Sequence, residues 1–134
     1  MSFEQIAGAI VVVVLCLLTL SLYPLAALLR RAGREGVSVS ITDLVGMRMR
    51  NVPTATVVDA LIQAKQAGLS VTARELEAHH LAGGNVRESV EALVRGKSGI
   101  TFAEVAAAEL AGHDVSRMSA DEIRKIAGQH TAAT

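Results

Sequence analysis

The hydrophobic pattern of the chain consists of one long uncharged run followed by a series of shorter amphipathic segments. Residues Ile6–Leu29 contain no charged side chain, and Arg30, Arg31 and Arg34 follow at once. A helix rises about 1.5 Å per residue, so this run reaches roughly 35 Å, which exceeds a hydrocarbon core of about 30 Å. The pattern therefore predicts a transmembrane helix, whose anchoring residues include Ile6, Val13, Leu18, Tyr23 and Leu29.

A cleaved signal peptide is the alternative explanation for an apolar N-terminal segment. Such peptides place basic residues before an apolar core of about 7–15 residues and small residues at the cleavage site. Here the residues before the run carry only the acidic Glu4, and the run itself is too long. We therefore expect the segment to be retained as an anchor.

The basic residues after the run predict its orientation. Lys and Arg accumulate on the cytoplasmic side of membrane proteins, so we expect the C-terminal part to be cytoplasmic. Arg30, Arg31 and Arg34 are also candidates for contact with anionic lipid headgroups. Pro24, next to the interfacial residue type Tyr23, leaves open a re-entrant hairpin as the alternative to a single span.

Composition limits what the remaining chain can be. The 105 residues after Leu29 suffice for one small domain. The formal net charge of the chain is zero, but it divides into −1 from Glu4, +3 for residues 30–50 and −2 for residues 51–134. An acidic distal part and an aromatic content of 2% argue against a nucleic-acid partner. Cys16 is the only cysteine, which excludes a disulfide within the chain.

Residues 30–52 are predicted to be a basic juxtamembrane linker between residues 1–29 and the domain that follows. Val37–Ile41 alternates apolar and polar residues, which predicts a short strand or an extended segment. Residues 41–50 suggest a short helix with Gly46 at its middle. Such a helix would lie on the lipid headgroups, cover the domain core as a lid, or simply connect the two parts.

Residues 53–128 predict a mainly α domain, because capping residues and glycines alternate at helical spacing. Thr-x-x-Glu and Ser-x-x-Glu capping boxes satisfy free N–H groups at helix starts, and glycine ends helices in the left-handed conformation. The predicted helices run from Thr54 or Thr56 to Ala67, from Thr72 to the helix stops Gly83 and Gly84, from Asn85 to Gly96 or Gly99, from Thr101 to Gly112 and from Ser119 to about Gly128, followed by a flexible tail over 129–134.

An internal repeat lies within these helices. Leu81–Val86 and Leu110–Val115 share the pattern Leu-Ala-Gly-x-Asn/Asp-Val at a spacing of 29 residues, and a capping box precedes each. Several independent signals agree, so duplication explains them better than coincidence. The sequence predicts two repeated helical-hairpin units packed face to face.

Candidate chemistry is sparse. Glu75 and His79 are spaced to share one helix face, and His113 is the nearest further ligand type, so a metal-dependent activity at Glu75, His79 and His113 is one hypothesis. The capping box already accounts for Glu75, and His80 is expected to pack at the core edge. Neither a nucleophile motif nor a phosphate-binding loop is present, so the prediction is a protein without catalytic residues, resident metal or cofactor.

Five blocks resemble a known family, namely Val45–Arg50, Ala67–Leu69, Leu76–His79, Leu81–Val86 and Leu110–Val115. From about Gly36 to Val115 the sequence is similar to the N-terminal part of the bacterial flotillin-like FloA family. The resemblance implies a protein of the bacterial plasma membrane that organises ordered membrane microdomains and scaffolds membrane client proteins. The partners that the resemblance implies are the lipid bilayer and either further copies of this chain or a full-length flotillin-like protein. The alternative role is that of a small regulator that binds such a full-length protein.

The sequence also departs from the family pattern. Family members continue into an SPFH (band-7) domain and an Ala/Glu-rich coiled coil, whereas this sequence closes with residues 119–134. Arg30 and Arg31 also interrupt the apolar stretch earlier than in the family, which favours a single span. We expect either a short stand-alone relative or a truncated one, in which the N-terminal helix carries more of the assembly.

Overall fold

The computed structural model describes residues 2–96 and 99–132. Within these ranges the chain is all-helical, as predicted, and contains no strand. Its elements are α1 (Phe3–Arg34), α2 (Ile41–Met49), α3 (Thr54–Gln66), α4 (Ala73–Leu81), α5 (Val86–Gly96), α6 (Phe102–Leu110), a 3-10 turn (Val115–Arg117) and α7 (Ala120–Ala132). The chain divides into two compact units, Met1–Val45 and Gly46–Thr134.

The first unit is dominated by α1. This helix includes Pro24 and stays continuous from Phe3 to Arg34, so no hairpin turn interrupts the apolar run. Residues 37–40 have no regular secondary structure, so the alternating pattern there does not form a strand. A strand needs a partner for its backbone groups, and the described residues provide none.

The second unit packs its helices around α5. The buried face of α5 contacts α3 on one side and α6 on the other, and α6 in turn packs against α7. The residues of α5 that are buried are Val86, Ser89, Val90, Ala92 and Leu93. The core is completed by side chains from the neighbouring helices, chiefly Val57, Val58, Leu61, Leu76, Val105 and Ile123. Spacings of three and four residues bring these side chains to one side of each helix.

The predicted helix starts are largely confirmed. The Thr72 hydroxyl accepts from the Glu75 N–H at 3.2 Å, and the Glu75 carboxylate accepts from the Thr72 N–H at 2.8 Å. Thr101 and Glu104 repeat this arrangement, and Ser119 and Glu122 do so before α7. The exception is α3, where Pro53 occupies the cap and neither predicted threonine caps the helix.

The glycine stops also lie where the sequence places them. Gly68, Gly83 and Gly112 have φ values of 75°, 93° and 94°, the left-handed conformation that ends a helix. Asn51, with φ 58°, ends α2 in the same way. The last helix differs from the prediction, because α7 continues beyond Gly128 to Ala132.

The two parts of the predicted repeat are similar only in their first half. Helices α4 and α6 each have nine residues, and a capping box precedes each of them. Val86 and Val115 are both buried, but Val86 begins the 11-residue helix α5 whereas Val115 begins a three-residue 3-10 turn. A pair of equivalent helical hairpins is therefore not confirmed.

Candidate membrane anchor and buried polar cluster

Helix α1 exposes its apolar side chains along most of its length. None of its most apolar 18-residue window is buried, and it is the one helix in the described chain that is long and apolar enough to cross a membrane. Of the residues singled out as anchors, Ile6, Val13, Leu18 and Tyr23 are exposed by 44%, 56%, 54% and 69%, and Leu29 is half-buried. Such continuous apolar exposure is costly in water and favourable in lipid.

The Thr19 hydroxyl within α1 is satisfied by its own helix. The Thr19 hydroxyl lies 2.9 Å from the carbonyl oxygen of Cys16 and 3.0 Å from that of Leu15. A hydroxyl that donates to its own helix carries no unpaired donor into hydrocarbon. The free thiol of Cys16 is exposed on the same helix.

The basic residues lie on the last turns of α1. Arg30, Arg31 and Arg34 are all exposed, and the Arg30 Nε–H donates to the Ala26 carbonyl at 3.4 Å. The 32 residues of α1 span about 48 Å at 1.5 Å per residue. The helix is thus longer than a hydrocarbon core of about 30 Å, and its basic end reaches the headgroup level when the apolar run is immersed.

A buried polar cluster joins three helices of the second unit. The Nε2 atom of His79 on α4 lies 2.6 Å from Oε2 of Glu109 on α6 and 2.8 Å from the Ser89 hydroxyl on α5. The Ser89 hydroxyl also donates to Glu109, whose second oxygen accepts from the Asn85 N–H at 2.5 Å. A carboxylate only accepts hydrogen bonds, so the Nε2–H of His79 is the donor to Glu109.

The cluster contains the residue types of a catalytic triad but not the arrangement. In a triad the base contacts the nucleophile through one ring nitrogen and the orienting carboxylate through the other. Here Ser89 and Glu109 both contact Nε2, and the buried Nδ1 has no hydrogen-bond partner within the described residues. Ser89 is fully buried, so no substrate reaches its hydroxyl. The geometry is that of a structural polar cluster.

Gly84 is the residue that lets His79 occupy this position. A Cβ atom at Gly84 would lie 2.3 Å from the Nε2 and Cε1 atoms of the His79 ring. The edge of the ring is further held against Phe102, whose centroid lies 5.5 Å away at an interplanar angle of 80°. Of the two glycines predicted to be helix stops, Gly83 has the left-handed conformation and Gly84 provides room for the imidazole.

The hypothetical metal ligands are not brought together. Glu75 and His79 line one shallow groove with Phe102, whereas His113 lines another with Glu122 and Lys125. Among residues 2–96 and 99–132, no three side chains of ligating type are grouped as a metal would require. His80 is half-buried, as expected for the core edge.

Sequence reasoning missed Ser89 and Glu109 as partners of His79. Glu109 is 30 residues from His79, and no local spacing rule connects them. The sequence contains two weak signals of this cluster. Ser89 lies on the buried face of the amphipathic helix α5, and Gly84 follows Gly83, which alone is enough to end α4.

Comparison with known proteins decides the family. The profile of the family described as Flotillin-like protein FloA matches residues 5–124, which include most of α1 and most of the second unit. The chain belongs to the flotillin-like FloA family. A FloA relative from Dictyoglomus turgidum is 55% identical over 84 residues, which cover 60% of this chain and 26% of the relative. A FloA relative from Staphylococcus aureus is 41% identical over 117 residues, covering 85% of this chain and 35% of the relative.

The chain thus spans about a quarter to a third of the length of the curated FloA relatives that it matches. No solved structure matches it. The long apolar helix and membership of the FloA family fit a bacterial membrane protein.

Proposed function

We propose that this chain is a membrane-anchored, non-enzymatic scaffold or assembly module of flotillin-like membrane microdomains in the bacterial plasma membrane. The observation that carries the proposal is the continuous, exposed apolar helix α1 with its basic end, in a member of the FloA family. In this proposal Ile6, Val13, Leu18, Tyr23 and Leu29 contact lipid acyl chains. Arg30, Arg31 and Arg34 contact anionic headgroups on the cytoplasmic side.

The helical unit after the anchor supports a role in binding rather than in catalysis. Its most buried polar groups, His79 and Ser89, bind one another and Glu109 and leave no reactive atom accessible. A rigid helical unit at the cytoplasmic surface is suited to hold partners by its outer faces. Those partners are proposed to be membrane client proteins and further copies of the chain or of a longer flotillin-like protein.

Membrane partitioning tests the proposal directly. The chain of residues 1–134, expressed in bacteria, should sediment with detergent-resistant membrane. A variant in which an unrelated transmembrane span replaces residues 6–29 should remain in membranes but be absent from the detergent-resistant fraction. A wild-type chain that is extracted completely by mild detergent and disperses as a monomer contradicts the proposal.

Crosslinking within intact membranes, followed by mass spectrometry, identifies the partners. Crosslinks between copies and to several membrane proteins support a scaffold. Crosslinks to a single full-length flotillin-like protein support the alternative of a small regulator of that protein's assembly.

A further inference from the structure

We propose that α2 lies on the anionic membrane surface, held there by an exposed apolar stripe that consists of Ile41, Val45 and Met49. The inference rests on the proposed anchoring by α1 and adds a second, shallow membrane contact to it. It concerns one helix, whose residues Ile41–Met49 form nine helical positions.

The stripe is defined by spacing and exposure. Ile41, Val45 and Met49 follow one another at intervals of four, which places them on one side of a helix. Their side chains are 51%, 37% and 81% exposed. The other large apolar residues of α2, Leu44 and Met47, are fully buried, so the stripe is distinct from the face that packs inside the protein.

The charges of α2 are arranged for an anionic surface. At 100° per residue, Arg48 lies next to the stripe and is exposed, whereas Asp43 lies on the far side of the helix. The Asp43 carboxylate accepts two hydrogen bonds at Oδ2, from the Ser40 hydroxyl at 2.9 Å and from the Ser40 N–H at 3.2 Å. A basic residue beside an apolar face is typical of helices that lie in the lipid interface.

The covalent connection keeps α2 near the bilayer. Helix α1 ends at Arg34 and α2 begins at Ile41, so six residues connect them. Even a fully extended connection of this length reaches only roughly 25 Å, at about 3.5 Å per residue. Residues 30–50 carry a net charge of +3, which favours the anionic leaflet over bulk water. A lipid surface is therefore the apolar partner that α2 meets at the highest local concentration.

Spin-label depth measurements on the full chain test this inference. The single native cysteine is removed by Cys16→Ser, and labels are placed by Val45→Cys or Met49→Cys in vesicles of phosphatidylcholine and phosphatidylglycerol. Leu18→Cys on α1 reports the hydrocarbon, and Arg87→Cys on α5, whose arginine side chain is 78% exposed, reports water. The ratio of oxygen to nickel-chelate accessibility at positions 45 and 49 is expected to exceed that at position 87 at least threefold.

Each other outcome of the measurement contradicts the inference in a distinguishable way. Ratios at 45 and 49 equal to that at 87, with position 18 in the hydrocarbon, overturn the surface contact and leave the anchor intact. An aqueous label at position 18 overturns the anchor and the surface contact together. Dipolar broadening between labels at position 49 would identify a second copy as the occupant of the stripe and overturn the lipid contact.

The charge requirement has its own measurement. In vesicles of phosphatidylcholine alone, or with Arg48→Glu, the accessibility ratio at position 49 is expected to fall at least twofold towards the aqueous value. An unchanged ratio in both conditions overturns the preference for an anionic surface.

Discussion

The imidazole of His79 and the carboxylate of Glu109 lie 2.6 Å apart and join two helices that begin with the same type of capping box. The His79 side chain is 1% exposed and that of Glu109 is 14% exposed, so the contact is largely shielded from water. Ser89 on α5 contacts both groups, which means that one carboxylate fixes the relative positions of three helices. Buried polar contacts of this kind fix a specific packing because each member is costly to leave unpaired.

Removing the shared carboxylate is expected to destabilise the second unit. In Glu109→Ala the donors on His79, Ser89 and Asn85 lose their acceptor, and the expected loss is about 2–3 kcal/mol of the free energy of unfolding. Urea denaturation of the full chain in detergent micelles, followed by circular dichroism, measures it. Glu91→Ala is the matched control, because its 3.9 Å pair with Arg87 is exposed and the expected loss is under about 0.5 kcal/mol. Equal losses in the two variants would show that the cluster adds nothing beyond a surface ion pair.

Two glycine-to-alanine substitutions are expected to have opposite effects. Gly84→Ala places a methyl group against the buried His79 ring, which is held in place by Glu109 and Ser89, and should cost about 1–3 kcal/mol. Gly128→Ala lies within α7, where a new Cβ meets no atom within 4 Å, and should stabilise by about 0.5–1 kcal/mol. Thermal unfolding of both variants under the same conditions provides the comparison. A neutral Gly84→Ala would mean that the imidazole does not occupy the position described.

The capping carboxylates of the 3-10 turn and of α7 predict an acid-sensitive contribution to stability. Hydrogen bonds from the Ser119 N–H and hydroxyl hold the pKa of Glu122 below its ordinary value of 4.5. The Ser116 hydroxyl, and with it the Ser116 N–H, lowers the pKa of Asp114 from its ordinary value of 3.8. Because the folded pKa values lie below the unfolded ones, these contributions are complete above about pH 4.5 and are lost as the pH falls through the folded values.

A titration of Glu122 separates its contribution to the pH dependence of stability from that of Asp114. In Ser119→Ala the carboxylate loses the hydroxyl donor, so its pKa, followed by the NMR shift of the side-chain carboxyl carbon, should rise towards 4.5. The slope of unfolding free energy against pH below 4.5 should become shallower at the same time. A pKa that is unchanged by the substitution would contradict the cap geometry at this helix.

The sequence predicted the elements of this fold well where the determining contacts are local. A capping box such as Thr72 with Glu75 involves residues three apart, and a left-handed glycine such as Gly68 depends on its own backbone, so both are readable from the chain. The long apolar helix α1 was equally readable, because its uncharged run is continuous in the sequence. The N-terminal cap of α3 differs from the predicted threonine because Pro53, with φ −70° and ψ 92°, occupies that position.

The parts that could not be predicted depend on contacts between distant residues. Glu109 and His79 meet only after α4, α5 and α6 pack, and nothing in their local sequence distinguishes Glu109 from a solvated helix residue. The predicted pair of equivalent hairpins is not confirmed, and the reason is again non-local. Its shared residues determine helix starts and stops, whereas the segments after Val86 and Val115 are determined by what each packs against.

The orientation of α1 provides the last prediction. If Arg30, Arg31 and Arg34 keep the following segment in the cytoplasm, a C-terminal green fluorescent protein fusion should be fluorescent and a C-terminal alkaline phosphatase fusion inactive. Moving the basic residues across the span, by Glu4→Lys with Arg30→Gln, Arg31→Gln and Arg34→Gln, should shift a substantial fraction of chains to the opposite activities.

A matched variant shows whether position rather than total charge matters for orientation. Arg87→Gln with Arg117→Gln removes basic residues that are exposed by 78% and 87% but lie far from the span in the sequence. This variant should keep the wild-type orientation, because only basic residues within about 15–20 positions of the span determine it. An active phosphatase fusion on the wild-type chain would reverse the proposed topology. It would also place the stripe on α2 at the outer leaflet, so the two proposals are linked through the direction of this one helix.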